Sequence, residues 1–326
     1  MALFTSSHEH EYQASKRVVS LDPTVTEWLV SFGVAELLVG RSHLCNGPAY
    51  VQSLVPVTYT RGIGSSDEAP EERPQHRPRD VHALDLAALV ALKPNLVILP
   101  HRKSDINLSA ADLDGIVEGA SHFSTFRLEG RTFKSILDGV LRLSRMLGRM
   151  PEGMAFIAEQ EGGLKLLQQK IMEAANASPG DTPARPRVVC VDRLEPLTVR
   201  GDWVPDIIWL AGAETLDARG GGSPMQISWD ELRAYDPDVI IIIPEGRPID
   251  EVRPELPLLF DDEKGAGLKA VTAERVYVMD GRSCLDSPGP GLYRAVHLAA
   301  SAIHGLPLEA SGPGNEIRRI RRSRKL

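Results

Sequence analysis

A short amphipathic helix, a turn built on proline and a wholly apolar strand occur twice in this chain in the same order, and this recurrence limits the fold more than any other feature. The first copy is Leu86-Ala-Ala-Leu-Val-Ala-Leu-Lys-Pro-Asn-Leu-Val-Ile-Leu99 and the second is Trp229-Asp-Glu-Leu-Arg-Ala-Tyr-Asp-Pro-Asp-Val-Ile-Ile-Ile242. Each follows an apolar run that ends in aspartate, Arg17-Val-Val-Ser-Leu-Asp22 and Arg187-Val-Val-Cys-Val-Asp192. Strands without polar residues are buried on both faces, as in parallel sheets covered by helices. Between the copies lies Pro151 to Ala177, where Ala155, Ile157, Ala158, Leu164, Leu166, Leu167 and Ile171 give a broken helical period and Pro151 suits a first turn. Gly162 and Gly163 weaken that helix by about 1 kcal/mol each. The pattern predicts an α/β protein of two Rossmann-like lobes joined by a long backbone helix, with a ligand cleft between the lobes.

The 326 residues suffice for two cores, since single cores stop growing near about 250 to 300 residues. The expected division is an N-terminal tail at 1–16, lobe 1 at 17–130, a helical connector at 131–180 that includes 151–177, lobe 2 at 181–306 and a basic C-terminal tail at 307–326. Residues 64–80 (GSSDEAPEERPQHRPRD) lack Ile, Leu, Val and aromatics and read as an exposed, mobile insertion of lobe 1. No run approaches the roughly 20 apolar residues of a membrane span, and the first residues lack the apolar core of a signal peptide, so a cytoplasmic protein is expected. Cys45, Cys190 and Cys284 are widely spaced with no C-x-x-C pair, which predicts free thiols and no structural zinc site. Six of the last nine residues are Arg or Lys; without them 31 basic side chains face 44 acidic ones, a balance of −13. Such a body repels nucleic acid and acidic membranes, so no specific nucleic-acid partner is expected. The tail itself is read as a solvated end, its rival reading being a weak electrostatic anchor.

Strands are expected at Val18 to Leu21, Leu37 to Ser42, Leu96 to Leu99, Val188 to Val191, Val239 to Ile243 and Val276 to Met279. Helices are expected at Glu27 to Phe32, with Asp22 or Thr24 as its N-cap, and at Ala110 to Glu118, Thr132 to Leu147, Val204 to Ala211 and Leu292 to Ile303. Ligands of open parallel sheets bind at the carboxyl ends of strands. That rule collects Asp22, Pro23 and Thr24 after strand one, Ser42 and His43 after strand two, His101 and Arg102 after the third, and in lobe 2 Arg193, Glu195, Glu245 and Arg282.

The chain resembles the class III substrate-binding proteins of vitamin B12 and ferric-siderophore uptake, and most closely their signal-less relatives described as cobalamin-binding proteins. Four places carry the resemblance: Arg17 to Glu27, Ser42-His-Leu-Cys-Asn-Gly-Pro48, Leu197-Thr-Val-Arg-Gly-Asp-Trp-Val-Pro-Asp206, and Asp280-Gly-Arg followed by Ser287-Pro-Gly-Pro290. In order and spacing the match spans residues 17 to 305. It implies a soluble, non-catalytic binder of a corrinoid such as cobalamin or a similar metal chelate, whose relatives hand ligand to an ABC permease. Where signal-less relatives often carry an acidic residue in the Ser-His-x-Cys loop this chain has Leu44, and where they carry a cysteine pair it has His101-Arg102.

A flat apolar ring with amide arms and a phosphate calls for aromatic walls, hydrogen-bonding loops and an anion-friendly spot. Trp203 is the wall candidate, its rival reading a core tryptophan under the following helix, and Tyr59 is a second wall candidate. Trp28 and Trp209 fall within helices and read as core. Ser287 to Gly291, with Ser287 and Gly289, would offer backbone N–H groups at a helix start. Arg61, Arg102, Arg193 and Arg282 could reach amides or phosphate, or serve as surface ion-pair partners. His43 or His101, at the ends of strands expected to be adjacent, could ligate cobalt or iron as a neutral imidazole. A His43-Cys45-Cys284 metal site is a weaker reading.

Asp80-Val-His82-Ala-Leu-Asp85 is similar to half of the Asp-x-His-x-x-Gly motif of B12-dependent enzymes, but its glycine is replaced by Asp85, which reads as a helix N-cap. No H-E-x-x-H, G-x-S-x-G or Walker loop is present, and Gly62-Ile-Gly64 lacks the third glycine of a dinucleotide fingerprint. The alternatives to a binder are an enzyme using Asp22, Glu195 or Glu245 as acid-base groups on a small substrate, and an adaptor or sensor on the same fold.

Overall fold

Both copies of the helix-proline-strand segment fold as expected in a computed structural model that describes residues 16–60, 82–101, 123–177, 185–216, 220–244, 247, 249–279, 287–307 and 317–320. The chain divides into two units, Met1–Glu129 with Asp138–Phe156, and Gly130–Leu137 with Ile157–Leu326. The insertion expected at 64–80 and the helix expected at 110–118 lie outside the described residues.

In the first unit, β1 (Val18–Ser20), β2 (Leu38–Arg41) and β3 (Val55–Pro56) are followed by a pair, β4 (Thr58–Thr60) and β5 (His82–Leu84), and then by β6 (Leu96–Ile98) and β7 (Ser124–Phe126). The main sheet runs β3-β2-β1-β6-β7 with every pairing parallel, and β4 pairs antiparallel with β5. Helices α1 (Pro23–Ser31), α2 (Ala49–Gln52) and α3 (Leu86–Ala91) belong to this unit. Helix α1 starts earlier than expected because Asp22 is its N-cap, accepting from Thr24 N and Val25 N, with Pro23 in the first turn. Asp85 caps α3 by accepting from Ala88 N at 2.9 Å. The core gathers Val19, Leu21, Val57, Leu84, Leu89, Val97 and Phe123, and Trp28 is buried as expected, its ring edge-on to Phe156. Helices α4 (Phe133–Met146) and α5 (Met150–Ala177) each carry residues of both units. Between them Gly148 takes φ +69°, the left-handed turn that separates the two helices.

The second unit holds β8 (Arg187–Leu194), β9 (Leu197–Val199), α6 (Val204–Leu210), β10 (Glu214–Thr215), β11 (Met225–Gln226), α7 (Trp229–Tyr235), β12 (Val239–Ile242), α8 (Ile249–Val252), α9 (Lys269–Thr272), β13 (Val276–Met279), α10 (Leu292–His304) and β14 (Ile317–Ile320). Its sheet runs β11-β9-β8-β12-β13-β14, with β10 also pairing with β8. The pairings among β8, β10, β12 and β13 are parallel, whereas β9, β11 and β14 join antiparallel.

The repeat is matched down to single hydrogen bonds. Lys93 and Asp236, each before the turn proline, take φ +46° and +43°. Asn95 Oδ1 then accepts the backbone N–H of Arg17 at 2.9 Å, and Asp238 Oδ2 accepts that of Arg187 at 2.8 Å. Each proline turn thereby latches the strand that it delivers to the strand that opens its lobe. The copies diverge after the aspartates. A turn is expected after Asp192, but β8 continues to Leu194 and folds back as β9, with a register shift at Asp192. The buried Asp192 carboxylate pairs with Arg200 at 3.5 Å, so it braces a hairpin where Asp22 caps a helix.

The C-terminal tail departs from expectation too. Residues Ile317–Ile320 form β14 on the edge of the sheet, Ile320 packs against the core, and Arg319 Nε donates to the carbonyl of Glu274. Two arginines of the basic end are therefore part of the second unit's fold.

Candidate functional site

At the carboxyl edge of the first sheet, β1 runs between β2 and β6, so the chain leaves its first strand to one side and returns on the other. Such a switch point is where open α/β sheets bind ligands. The loops after β2 and β6 carry His43 and His101; the strands that deliver them are separated by β1 rather than adjacent, as the sequence had suggested.

Asp22 organises this edge. It is 0% exposed. Its Oδ1 accepts from Thr24 N at 2.8 Å and Val25 N at 3.2 Å, and its Oδ2 accepts from His101 N at 2.5 Å. A carboxylate with three backbone donors is a fixed tie between the loops after β1 and β6, so Asp22 is not placed to work as an acid-base group. Beneath it lies a buried set of small polar side chains. Thr26 Oγ1 donates to Ser20 Oγ or to the carbonyl of Asp22, both at 2.9 Å, and Cys45 Sγ lies 3.2 Å from both Thr26 Oγ1 and Ser42 Oγ. Burial pushes the Cys45 thiol up, which makes it a structural group rather than a soft metal ligand. Cys284 and Arg61, Arg102, Glu245 and Arg282 lie outside the described residues. Among the described residues no group of three or more His, Cys, Asp or Glu could hold a metal ion.

Of the remaining candidates in this unit, Pro23 and Thr24 form the first turn of α1, and Ser42 is fully buried with its Oγ accepting from Leu44 N at 3.2 Å. His43 is half-buried and His101 is buried. Tyr59 is 51% exposed on β4, available as a wall. Thr58, beside it, receives the backbone N–H of His43 at 3.0 Å and lies 2.7 Å from His43 Nδ1. Sequence reasoning missed Thr58, which sits in a plain Val-Thr-Tyr-Thr run with no motif to mark it.

In the second unit the candidate wall is overturned: Trp203 is 1% exposed, sealed in the core at the N-cap of α6. The residues around it have structural duties that account for the Leu197 to Asp206 motif. A Cβ on Gly201 would collide with the backbone of Gly222 and Ser223. Asp202 takes φ +54°, exchanges backbone hydrogen bonds with Gly221 and Gly222, and accepts from Arg131 Nε at 2.9 Å. Asp206 Oδ2 accepts from Phe133 N at 2.7 Å. Trp209, expected in the core, is instead 58% exposed, with the Arg185 guanidinium 3.5 Å from its ring centroid. Arg193 is half-buried on β8. Glu195 is exposed and pairs with Lys264 at 2.9 Å, which makes it a surface ion pair rather than an acid-base group. Ser287 is half-buried and Gly289 buried in the turn before α10, where the carbonyl of Gly289 accepts from Leu292 N at 3.1 Å.

This arrangement has solved counterparts. A periplasmic haem binding protein from Pseudomonas aeruginosa is 21% identical, with a TM-score of 0.61 over 90% of this chain and 95% of that one. The periplasmic vitamin B12 binding protein BtuF of Vibrio cholerae is 17% identical, with a TM-score of 0.58 over 88% and 96%. An ABC transporter substrate-binding protein from Listeria monocytogenes EGD-e is 17% identical, with a TM-score of 0.62 over 89% and 100%. These likenesses establish the fold. No curated protein sequence matches the chain. The family model described as periplasmic binding protein matches residues 18–282, from the first strand to beyond β13, and the chain belongs to that family.

Proposed function

We propose that this protein is a non-catalytic binder of a metal-chelate ligand of the corrinoid or tetrapyrrole type, held by loops at the carboxyl edges of its sheets. The observation that carries the reading is the family match over residues 18–282, and structural neighbours whose names describe haem and vitamin B12 binding favour this ligand class. The first unit supplies suitable groups: an exposed Tyr59, a half-buried His43, and loops held rigid by Asp22, the preorganisation that spares a binder ordering costs. A corrinoid is favoured within the class by the resemblance of residues 17 to 305 to cobalamin-binding proteins described above.

The test is calorimetric and spectroscopic titration of the purified protein with cyanocobalamin, aquocobalamin, haemin and a ferric siderophore. Saturable one-to-one binding of both cobalamins, tighter than of the other two, is the expected result. Tighter binding of haemin or siderophore would replace the corrinoid within the class. Binding of none would remove the class.

A further inference from the structure

Strand β8 runs past the strand beside it. Its parallel pairing with β12 ends at Val191, opposite Ile242, with Ile243 N donating to the carbonyl of Val191 at 2.7 Å. β8 continues through Asp192, Arg193 and Leu194 and turns back through Glu195 and Pro196 into β9, so the tip of this hairpin stands at the carboxyl edge of the sheet. Peptide groups of such an overhang need partners as those of any buried strand do. Side chains supply them: Arg247 Nη2 donates to the carbonyl of Asp192 at 3.2 Å, and Glu255 Oε2 accepts from Leu194 N at 3.0 Å. The same two side chains pair with each other, Arg247 Nη1 to Glu255 Oε1 at 2.6 Å, with 26% and 20% of their surfaces exposed. Each is fixed at its own base, where Arg247 N donates to the carbonyl of Pro244 at 3.2 Å in the turn leaving β12, and Glu255 N to that of Val252 at 2.9 Å at the end of α8. An acceptor and a donor two residues apart on β8 are thus met by a joined donor and acceptor, as a neighbouring strand would meet them. Arginine suits the place because its planar fork serves a carboxylate and a carbonyl at once.

We infer that Arg247 and Glu255 are positioning residues of the second unit's ligand edge, which hold the β8–β9 hairpin in place so that Arg193 can meet an oxygen at the rim of the ligand, a carbonyl, carboxylate or phosphate. Leu194 is 0% exposed, which turns Arg193 to the opposite face of the strand, where it is half-buried. The guanidinium of Arg247 and the carboxylate of Glu255 are occupied by each other and by the backbone of β8, so they act on a ligand through the hairpin and not by touching it. In the first unit Asp22 does this work alone, tying the loop after β1 to the loop after β6. Here an ion pair ties the end of β8 to the segment after β12. The bracing follows from the contacts, whereas the part given to Arg193 rests on the proposed binding function.

Amide hydrogen exchange on the full chain reads the bracing without any ligand. Arg247→Met and Glu255→Met are each expected to speed exchange of the Leu194 amide about ten-fold or more, and the double variant no further than the faster single one, because the pair works as a unit. The amides of Val188 to Val191, in register with β12, are expected to keep native rates. Unchanged exchange at Leu194 in both single variants overturns the inference, and so does loss of protection along all of β8, which would make the pair a support of the whole sheet. Titration with cyanocobalamin reads the function. Arg193→Met and Arg247→Met are each expected to raise Kd about ten-fold, the effect of one lost hydrogen bond, and the variant carrying both no more than Arg193→Met alone. A native Kd in Arg247→Met, or losses that add in the variant carrying both, overturns the positioning role. If the native protein binds neither cyanocobalamin nor haemin, the proposed binding function fails and the part given to Arg193 with it, while the exchange rates still decide whether the pair braces the hairpin.

Discussion

Asp22→Ala removes two different supports from one place, and their separate sizes can be worked out. The carboxylate caps α1 through Thr24 N and Val25 N, and losing a cap costs about 1 kcal/mol, within roughly 0.5 to 2. It also satisfies the backbone N–H of His101, and a buried donor left unmet costs about 1 to 3 kcal/mol. Together the loss is about 2 to 5 kcal/mol, which for a unit of this size lowers Tm by roughly 5 to 15 °C. Asp22→Ser separates the parts, since a serine hydroxyl still caps a helix but is too short to reach the His101 loop. It is expected to lose about 1 to 3 kcal/mol, the His101 share alone. Urea unfolding of both variants, followed by circular dichroism and by protection of the His101 amide from hydrogen exchange, measures the two shares. If Asp22→Ala stays within about 0.5 kcal/mol of the native protein, or if Asp22→Ser leaves the exchange of His101 unchanged, the carboxylate does not tie the loops after β1 and β6.

Other expectations follow from single contacts. Trp203→Ala is expected to cost about 3 to 5 kcal/mol, while Trp203→Phe, if it folds, leaves the dissociation constant of any ligand unchanged, because the ring is sealed in the core; a weakened Kd in Trp203→Phe would restore its role as a wall. His304, which hydrogen-bonds to the carbonyl of Ala211, has its pKa held below the ordinary histidine value first by burial and then by the nearby Arg275. The folded protein therefore takes up its proton at lower pH than the unfolded chain does. The stability that this confers is complete above about pH 6.5 and is lost as pH falls from there through the folded pKa. His304→Gln should flatten the stability slope between pH 5 and 7, and an unchanged slope would refute the assignment. Burial pushes the Cys190 thiol up to about 12 and raises that of Cys45, so both are expected to react with a thiol reagent only as fast as the protein opens; rapid labelling of either in native protein would contradict their burial. Ile320→Asn is expected to destabilise the second unit by about 1 to 2 kcal/mol through loss of packing from β14, and an unchanged Tm would show the C-terminal strand to be dispensable.

What could be read from the sequence was whatever depends on local chemistry. Asp22 and Asp85 follow the preference of helix N-termini for short acceptors, and Gly148 and Gly305 mark helix ends by their left-handed φ of +69° and +67°. The apolar runs at Leu96 and Val239 have no face to show to water, so they became central strands. The carboxyl edge of the first sheet was legible as a set of loops but not as a set of contacts. The tryptophans show why: Trp203 precedes a helix in a Gly-Asp turn, a position that reads as exposed, yet that turn packs closely on the backbone of Gly222 and Ser223, distant in sequence, and the ring is 1% exposed. Trp209 lies in a helix with apolar neighbours, yet the stripe facing the core is set by Ile207 and Ile208, which leaves it outside for Arg185 to cover. Strand β14 was missed for the opposite reason, since Ile317-Arg-Arg-Ile320 sits in a basic tail with too few apolar residues to announce a strand before its partner β13 is known.

The repeat separates what holds a lobe together from what a lobe can be used for. The latch from Asn95 to Arg17 recurs as the latch from Asp238 to Arg187, at nearly the same length, because any lobe of this topology must deliver its central strand beside its first one. The aspartates one turn further on answer to no such requirement. Asp22 ends its strand early and gathers two loops at a switch point, whereas Asp192 lets its strand run on and spends its charge on Arg200. Exchanging the latches, Asn95→Asp and Asp238→Asn, should therefore be tolerated at both places, since either side chain can accept one backbone N–H; the lobe-2 exchange gives up the pair with the half-exposed Lys269 and the attraction of the nearby Arg275. Replacing either aspartate of the second pair by asparagine should not be tolerated. Asp192→Asn removes one charge of the buried pair with Arg200, and breaking such a pair costs about 3 to 5 kcal/mol. Chemical denaturation of the four single variants would show two near-neutral changes and two large ones, with Asp22→Asn joining Asp192→Asn because its amide would turn a donor toward the N–H of His101. Four equal losses would mean that the repeat is one of sequence only, with no division of labour between its halves.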